Sequence, residues 1–377
     1  MQVIKIVILV FAILGALDYV FGSRFCIGKE FVNGLMLMGT MLLSVQGMIV
    51  IAPSIALLLE PVFGFVEKYL HMDPSILPAL LFANDMGGAP LAKEIATSPD
   101  IGMFNALVVS SMMGATVSFT IPFALGIVPK EKHKNLLLGL LCGIVTIPVG
   151  CFVGGIVCGI SMRALLWDLL PLILLAAVIA VGLLKFPDVC LKIFGVLGWI
   201  MKTLVVFGLV VGMMYCMTGG KVALPGIVYD AAKQEATGFA TSWDEGISIC
   251  INTALFLAGA FPLVYLVSRL LRRPLRTLGG LLRINETSAL CLLSSLASSS
   301  PTFGMMKLMD DRGAVINSAF SVSGAFILAS HLAFTISFDP SYVPAMAVGK
   351  LTAGILAVVV AVFISKRMSS ASQKDAT

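Results

Sequence analysis

Apolar stretches long enough to cross a bilayer recur along the whole of this 377-residue chain. A transmembrane helix needs about 20 consecutive apolar residues. Hydrophobic types make up 59% of the sequence and charged types 12%, whereas a soluble domain carries about 25% charged residues. The chain therefore cannot cover itself with a water-compatible surface. We expect an all-α membrane protein, a polytopic helical bundle that forms a single transmembrane domain over 1–377.

The N-terminal apolar run looks like a signal peptide but has a poor cleavage site, so we expect an uncleaved first span. The runs that could enter the membrane are, approximately, 2–21, 33–59, 76–96, 101–128, 135–162, 165–184, 190–216, 246–268, 287–308, 313–337 and 342–365.

Two of these segments are poor material for a lipid-facing helix. Segment 76–96 carries the string NDMGGAP from Asn84 to Pro90, and segment 287–308 carries a serine cluster before Pro301. Glycine, proline and charge in mid-segment suit a broken helix or re-entrant hairpin that is buried in protein.

Charge placement favours re-entrant hairpins over full crossings. If both weak segments return to the side they came from, nine crossings remain, and the basic loops around Arg24, Lys132 and Lys366 fall on one face. Positive residues favour the cytoplasm, so we expect an inner-membrane protein with its N-terminus outside and its C-terminus cytoplasmic. Two full crossings, which would move Arg24 and Lys366 outside, stay open as the alternative.

The two weak segments occupy matching places in the chain. Pro90 matches Pro301, and Asn105 matches Asn317 with a shift of one residue. An odd number of crossings between the copies inverts the second one, so we expect an inverted repeat, with copies at about 33–162 and 246–366. Chance similarity between apolar helices is the alternative.

Carboxylates in the weak segments are the sharpest candidates for binding a cation. Asp85 stands at the break of the first segment, and Glu286 opens the second next to Asn285. Polar residues at membrane depth are costly and usually mark function. The structural alternative is that all three cap half-helices.

Further candidates are amides and hydroxyls that lie near the breaks or stand alone in apolar helices. Such groups could face a substrate or could bond a neighbouring helix. For the histidine at 331 we favour a structural role over a proton relay. The candidates are Asn84, Asn105, Ser298, Ser299, Asn317, Gln46 and Asn252.

Several functional classes are disfavoured. The net charge of +5 comes from short loops, so we expect no nucleic-acid binding. The eight cysteines lie mostly in apolar runs and form no CxxC pair, so we expect neither a metal site nor a cofactor. The motifs HExxH, GxSxG and GxxxxGK[ST] do not occur, which argues against an enzyme.

Long strings resemble the EutH family of ethanolamine-utilisation membrane proteins. They are LFANDMGGAPLAKEIA, IGMFNALVVSSMMGATVSFTIPFALGIV and GIVTIPVGCFVGG, followed more loosely by LLRINETSALCLLSSLASSSP. The resemblance implies uptake of ethanolamine across a bacterial inner membrane, feeding an ammonia-lyase pathway associated with microcompartments.

A facilitator for protonated ethanolamine is therefore the expected function. The membrane potential favours cation uptake by about 2.3 kcal/mol per 100 mV, so no second ion is needed. A proton- or sodium-coupled transporter of another small amine or amino acid, a membrane-embedded enzyme and a non-transporting anchor are the alternatives. The expected partners are ethanolamine and membrane lipid, and a homo-oligomer is left open.

Overall fold

The computed structural model describes residues 2–70, 72–218, 239–270, 277 and 279–374, and every regular element in those ranges is helical. This confirms the all-α membrane fold. Part of the predicted outer loop at 218–245 lies outside the described residues. Eight helices in the described ranges are long and apolar enough to cross a membrane: Gln2–Val20, Ile27–Ala56, Pro99–Ile127, Lys130–Val157, Met162–Lys185, Pro187–Thr218, Trp243–Val267 and Pro340–Ser365.

The first weak segment folds as a broken hairpin, here called the first hairpin. Its half-helices are Ile76–Leu81 and Gly88–Ile95, and a short 3-10 turn, Asn84–Met86, lies between them. Gly87 adopts φ 97°, a left-handed conformation that costs a glycine little. The predicted break therefore occurs at the NDMGG string.

The second weak segment forms the second hairpin. The helix Glu286–Ala297 is followed by the short helix Ser300–Gly304 and the turn Met306–Leu308. Ser298 between the helices is extended, with φ −157° and ψ 134°, so the break falls in the serine cluster.

Hydrogen bonds tie the two ends of each hairpin together. The Asp73 carboxylate, before the first hairpin, accepts from the backbone amides of Thr97 and Ser98 after it, at 3.2 and 2.8 Å. The Asp310 carboxylate, after the second hairpin, accepts from the amide of Asn285 before it, at 2.9 Å. Each segment thus returns to the level at which it began, which is the geometry of a re-entrant hairpin.

The apolar segment predicted at 313–337 is not one continuous helix. It consists of Asp311–Ser323 and Ser330–Phe338, separated by the turn 324–329. Phe326 in this turn has φ 64°. The interruption is stabilised because the amides of Phe326 and Leu328 bond the carbonyls of Ser295 and Leu296 at 3.0 and 2.8 Å. The structure thus divides this predicted segment into two helices.

The remaining helices match their predicted places with small shifts of their ends. Pro99–Ile127 carries a π-helical stretch, Asn105–Gly114, whose residues are all buried. Pro53 lies inside the helix Gly47–Leu58, and Pro262 lies inside the helix Phe239–Leu270. Glycines allow close approach of backbones: a Cβ at Gly150 would lie 2.5 Å from the carbonyl oxygen of Gly349.

We expect Asp73→Ala to lower the free energy of unfolding by about 2 kcal/mol or more, because it leaves several donors at the hairpin ends without an acceptor. Thermal unfolding of the purified protein in detergent measures this. The control is Asp100→Ala on the same face, where the side chain is exposed and the contact to Tyr342 uses the carbonyl. It should change stability by about 0.5 kcal/mol at most, and equal losses in both variants would contradict the role of Asp73.

Candidate functional site

Side chains of the neighbouring helix satisfy the unwound backbone of the first hairpin. Ser110 donates to the carbonyl of Phe82 at 2.5 Å, and the amide of Ala83 donates to the hydroxyl of Ser118 at 3.1 Å. An unpaired backbone group buried away from water is costly. These serines therefore hold the break open at a defined place.

The hydroxyls of the second hairpin bond mainly to groups of the same hairpin and of the helix that follows it. The hydroxyl of Ser295 lies 2.8 Å from that of Thr302 and 3.2 Å from that of Ser321. Thr302 also donates to the carbonyl of Cys291 at 3.0 Å. This buried network joins the two halves of the hairpin and the helix Asp311–Ser323.

The turn 324–329 brings the second hairpin towards the first. Its backbone is bonded to Ser295 and Leu296, and it leads directly into the helix Ser330–Phe338. The first turn of that helix contacts the break of the first hairpin through His331 and Asp85. The two breaks are thus connected by one short, irregular segment.

Asp85 is a largely buried carboxylate at this contact. Its side chain is 13% exposed, and its Oδ1 lies 3.7 Å from Nε2 of His331. This distance is too long for a hydrogen bond but short for two groups that can carry opposite charges. The Ser330 side chain hydrogen-bonds the carboxylate, and the Asp85 carbonyl accepts from Ser44 at 3.3 Å. An ionised carboxylate has about four acceptor sites, so the Asp85 side chain can accept from a ligand as well as from Ser330.

Lys350 places a buried amine beside this carboxylate. It is 1% exposed, and its Nζ donates to the carbonyl of Ser111 at 2.7 Å. Asp85, Cys151 and His331 are the ionisable groups near enough to interact with its charge. Lys350 is not among the site residues predicted from the sequence, although a lysine inside an apolar helix is itself a mark of function.

Several buried polar atoms near the breaks have no hydrogen-bond partner among the described residues. Native proteins leave few such atoms, and each asks for an explanation such as a ligand or water. Asn84, fully buried, has neither its amide nitrogen nor its carbonyl oxygen bonded. The atoms close to the three interruptions are Asn84 Nδ2 and Oδ1, Ser299 Oγ, Ser323 Oγ, His331 Nδ1 and Thr335 Oγ1.

The paired asparagines act as braces. Asn105 donates to the hydroxyl of Ser75 at 2.9 Å, at the start of the first hairpin, and to Asp168 at 3.0 Å. Asn317 donates to the carbonyl of Ser288 at 2.9 Å, at the start of the second hairpin. The amide nitrogens of both asparagines thus bridge neighbouring segments, which is the structural alternative to substrate binding.

The polar residues that flank the second break take local roles. The side chain of Asn285 caps its helix by accepting from the Ser288 amide at 2.8 Å. Glu286 follows in the first turn, where a carboxylate suits the helix dipole. Ser298 accepts from the amide of Ser300 at 3.3 Å, whereas Ser299 is fully buried. Of this group, Ser299 is the one with an uncommitted hydroxyl.

Two candidates stand alone in long apolar helices, one buried and one exposed. Gln46 is buried and donates to the carbonyl of Trp243 at 3.0 Å, which joins two long helices. Asn252 is exposed and donates to Ser248 one turn earlier on its own helix, at 3.3 Å. The structure therefore does not bring Asn252 into the buried site, because its side chain points away from the bundle.

A carboxylate, an imidazole and an amine are thus buried together at the break of the first hairpin, with the unbonded amide of Asn84 beside them. Buried ionisable groups at a broken helix of a multi-pass bundle are typical of a membrane transport protein. Residues 1–364 match the family described as "Ethanolamine utilisation protein, EutH". The chain belongs to this family, as its sequence predicts.

Curated relatives match over nearly the full chain. "Probable ethanolamine permease EutH" of Listeria monocytogenes is 41% identical, covering 97% of this chain and 95% of its own. The "Uncharacterized protein YxeR" of Bacillus subtilis is 36% identical with the same coverages. "Probable ethanolamine permease EutH" of Salmonella typhimurium is 33% identical, covering 99% and 97%. No solved structure matches the chain.

We expect Gly87→Ala to destabilise the protein by about 2–3 kcal/mol, because an alanine is strained at φ 97° and its Cβ would lie 2.6 Å from Met48. The matched control is Gly22→Ala, at φ 86° with open space around it. Gly22→Ala introduces the backbone strain alone and should lower the free energy of unfolding by about 1–2 kcal/mol. Chemical denaturation in detergent compares the two, and a smaller loss at Gly87 would contradict the tight packing of the break.

Proposed function

We propose that this protein is an ethanolamine permease of the bacterial inner membrane and that Asp85 binds the ammonium of its substrate. The observation that carries the proposal is a buried carboxylate at the break of a re-entrant helix, with acceptor sites beyond its bond to Ser330 and an unbonded amide next to it. The names of the relatives in Listeria and Salmonella support the choice of substrate.

The chemistry of ethanolamine suits these groups. At neutral pH it carries an ammonium with three donors, and its hydroxyl, two carbons away, both donates and accepts. Asp85 supplies acceptors for the ammonium, and a charge-assisted hydrogen bond is about twice as strong as a neutral one. Asn84 offers a donor and an acceptor to the hydroxyl. Ser299 and Thr335 are further open hydroxyls for an alcohol.

Lys350 balances the site when no substrate is bound. A lone carboxylate is expensive at membrane depth, and the nearby ammonium of Lys350 compensates its charge. An incoming substrate cation competes with Lys350 for Asp85. Binding is thereby kept weak enough for release, as facilitated diffusion requires.

The same lysine supports proton coupling as the second mechanism. Substrate and Lys350 together would place two cations against one carboxylate, which a buried site disfavours. Release of the Lys350 proton would restore balance and make transport an exchange of ethanolammonium for a proton. The groups that face or influence this amine are Asp85, Cys151 and His331.

Contacts between loops support the proposed nine-crossing topology, with the N-terminus outside and the C-terminus in the cytoplasm. Lys132 and Asp311, which it places on the cytoplasmic face, form an ion pair at 2.7 Å. Tyr342 and Asp100, which it places on the outer face, meet through a hydrogen bond of 3.5 Å.

We also propose the inverted repeat, with copies at about 33–162 and 246–366. Its support is the placement of the braces: Asn105 bonds a residue 30 positions earlier, and Asn317 bonds one 29 positions earlier. In both cases the partner lies at the start of the hairpin that precedes the asparagine. Two hydrogen bonds at matching places and similar spacings support a repeat more strongly than matched residue types do.

We expect Asp85→Asn to lower the rate of labelled ethanolamine uptake into proteoliposomes by tenfold or more, because the amide offers no charge to the ammonium. Glu286→Gln is the comparison variant, since its carboxylate lies at the start of the second hairpin and away from the break. It should stay within about twofold of the unaltered protein. Normal uptake by Asp85→Asn protein that unfolds at the usual temperature would refute the site.

Lys350→Met should lower both the half-saturating ethanolamine concentration and the maximal rate, each by about tenfold, because the substrate loses its competitor and is released slowly. A factor of ten corresponds to about 1.4 kcal/mol. Lys350→Arg keeps the charge and should change both values less. Uptake is measured with the membrane potential clamped, and a raised half-saturating concentration in Lys350→Met would contradict the balancing role.

A further inference from the structure

A cavity of about 310 Å³ lies beside the start of the first hairpin, apart from the Asp85 contact. The residue before the hairpin and the turn that opens the helix Met162–Asp168 form its walls. The polar and aromatic residues that line it are Asp73, Ser161, Arg163, Trp167 and Asp168. Nothing in the mechanism above uses this cavity.

Asp168 is the unusual member of this lining. It is 3% exposed, and Asn105 donates to its Oδ1 at 3.0 Å. Its Oδ2 is buried and has no hydrogen-bond partner in the part of the chain that the structure describes. A buried carboxylate with one oxygen unsatisfied is costly, so this oxygen is suited to a donor that arrives from the cavity.

The charge of the lining selects a cation. Asp73 and Asp168 contribute two carboxylates and Arg163 one guanidinium. The oxygens of Asp73 are engaged by the hairpin ends, at 2.8 to 3.2 Å, but its charge still faces the cavity. A small ammonium therefore meets a favourable field and one open acceptor.

Trp167 and Ser161 fit the same class of ligand. The indole of Trp167 is 52% exposed, and the face of a tryptophan attracts ammonium groups within about 6 Å. The hydroxyl of Ser161 accepts from the Ala164 amide at 3.4 Å and keeps its own proton to donate. An amino-alcohol has an ammonium for the indole face of Trp167 and a hydroxyl that can accept from Ser161.

The cavity is connected to the inner site through side chains. Asn105 bonds Asp168 on one side and Ser75 of the first hairpin on the other. Cys151 is buried within the electrostatic reach of both Asp168 and Lys350. Asp168 and Lys350 thus flank one residue of the bundle interior, along a line that leads from the cavity towards Asp85.

We propose that this cavity is a second, outer binding site for the substrate ammonium, with Asp168 as its acceptor and Trp167 as its aromatic wall. It is occupied before Asp85 during uptake. The inference rests on the proposed function for the identity of the ligand, ethanolamine, but not on Asp85 as the inner acceptor.

Trp167 can report on the outer site directly. The chain has three tryptophans, so a Trp199→Phe, Trp243→Phe protein leaves Trp167 as the only one. The backbone carbonyl of residue 243 that Gln46 uses is kept in that protein. Titration with ethanolamine in nanodiscs should change the Trp167 fluorescence in a saturable manner, and ethylene glycol, which has no ammonium, should not.

The two sites are separated by adding one substitution at a time to the single-tryptophan protein. Asp85→Asn should lower uptake tenfold or more and keep the half-saturating ethanolamine concentration of the Trp167 response within about threefold. Asp168→Asn should raise that concentration tenfold or more. Loss of the response in Asp85→Asn protein, or an unchanged response in Asp168→Asn protein, overturns the outer site. Normal uptake by Asp85→Asn overturns the inner assignment instead.

Arg163→Gln is a second variant that does not depend on a buried group, since Arg163 is exposed. Removing this positive charge should lower the half-saturating ethanolamine concentration, for both fluorescence and uptake, by about threefold. The effect should shrink as ionic strength rises, because exposed charges are screened. A higher half-saturating concentration in Arg163→Gln protein would mean that the cavity does not select cations.

Discussion

Backbone groups that leave a helix inside a bilayer have no water to bond, so they must find partners in the protein. Ser110 and Ser118 supply them at the first break, and at the second break the partners come from the turn 324–329 and from a serine–threonine network. Everything at the proposed site depends on this satisfaction. Because the broken backbone is already bonded, the side chain of Asn84 keeps its own donor and acceptor for a ligand, beside the carboxylate of Asp85.

The proposed path has one buried carboxylate at each of its two sites, Asp168 at the outer site and Asp85 at the inner site. Asp168 accepts a hydrogen bond from Asn105, whereas Asp85 has a histidine at 3.7 Å and a lysine nearby. Each carboxylate thus already has a polar or charged neighbour, so neither binds a cation too tightly for release. A transporter needs binding that is favourable enough to admit the substrate and weak enough to let it leave. Buried groups of opposite sign, placed close but not bonded, provide that balance.

Much of the fold could be predicted because composition and broken apolar runs are local properties. The strings around Asn84 and Ser298 located both breaks, and the paired asparagines were recognised before their partners were known. The turn at 324–329 could not be predicted, since its sequence, GAFILA, is apolar and its stability comes from bonds to residues about 30 positions away. Asp168 was missed for the same reason: its significance comes from Asn105 and a cavity, which no spacing reveals. Lys350 was visible as a charge in an apolar helix and was overlooked.

The turn 324–329 has a mechanical consequence. It is fastened to the second hairpin by two backbone hydrogen bonds, and it continues without slack into the helix that carries His331. A tilt of the second hairpin would therefore move the imidazole of His331 relative to the carboxylate of Asp85. The same movement would change how the site at Asp85 binds its substrate, without any further element between the second hairpin and that site.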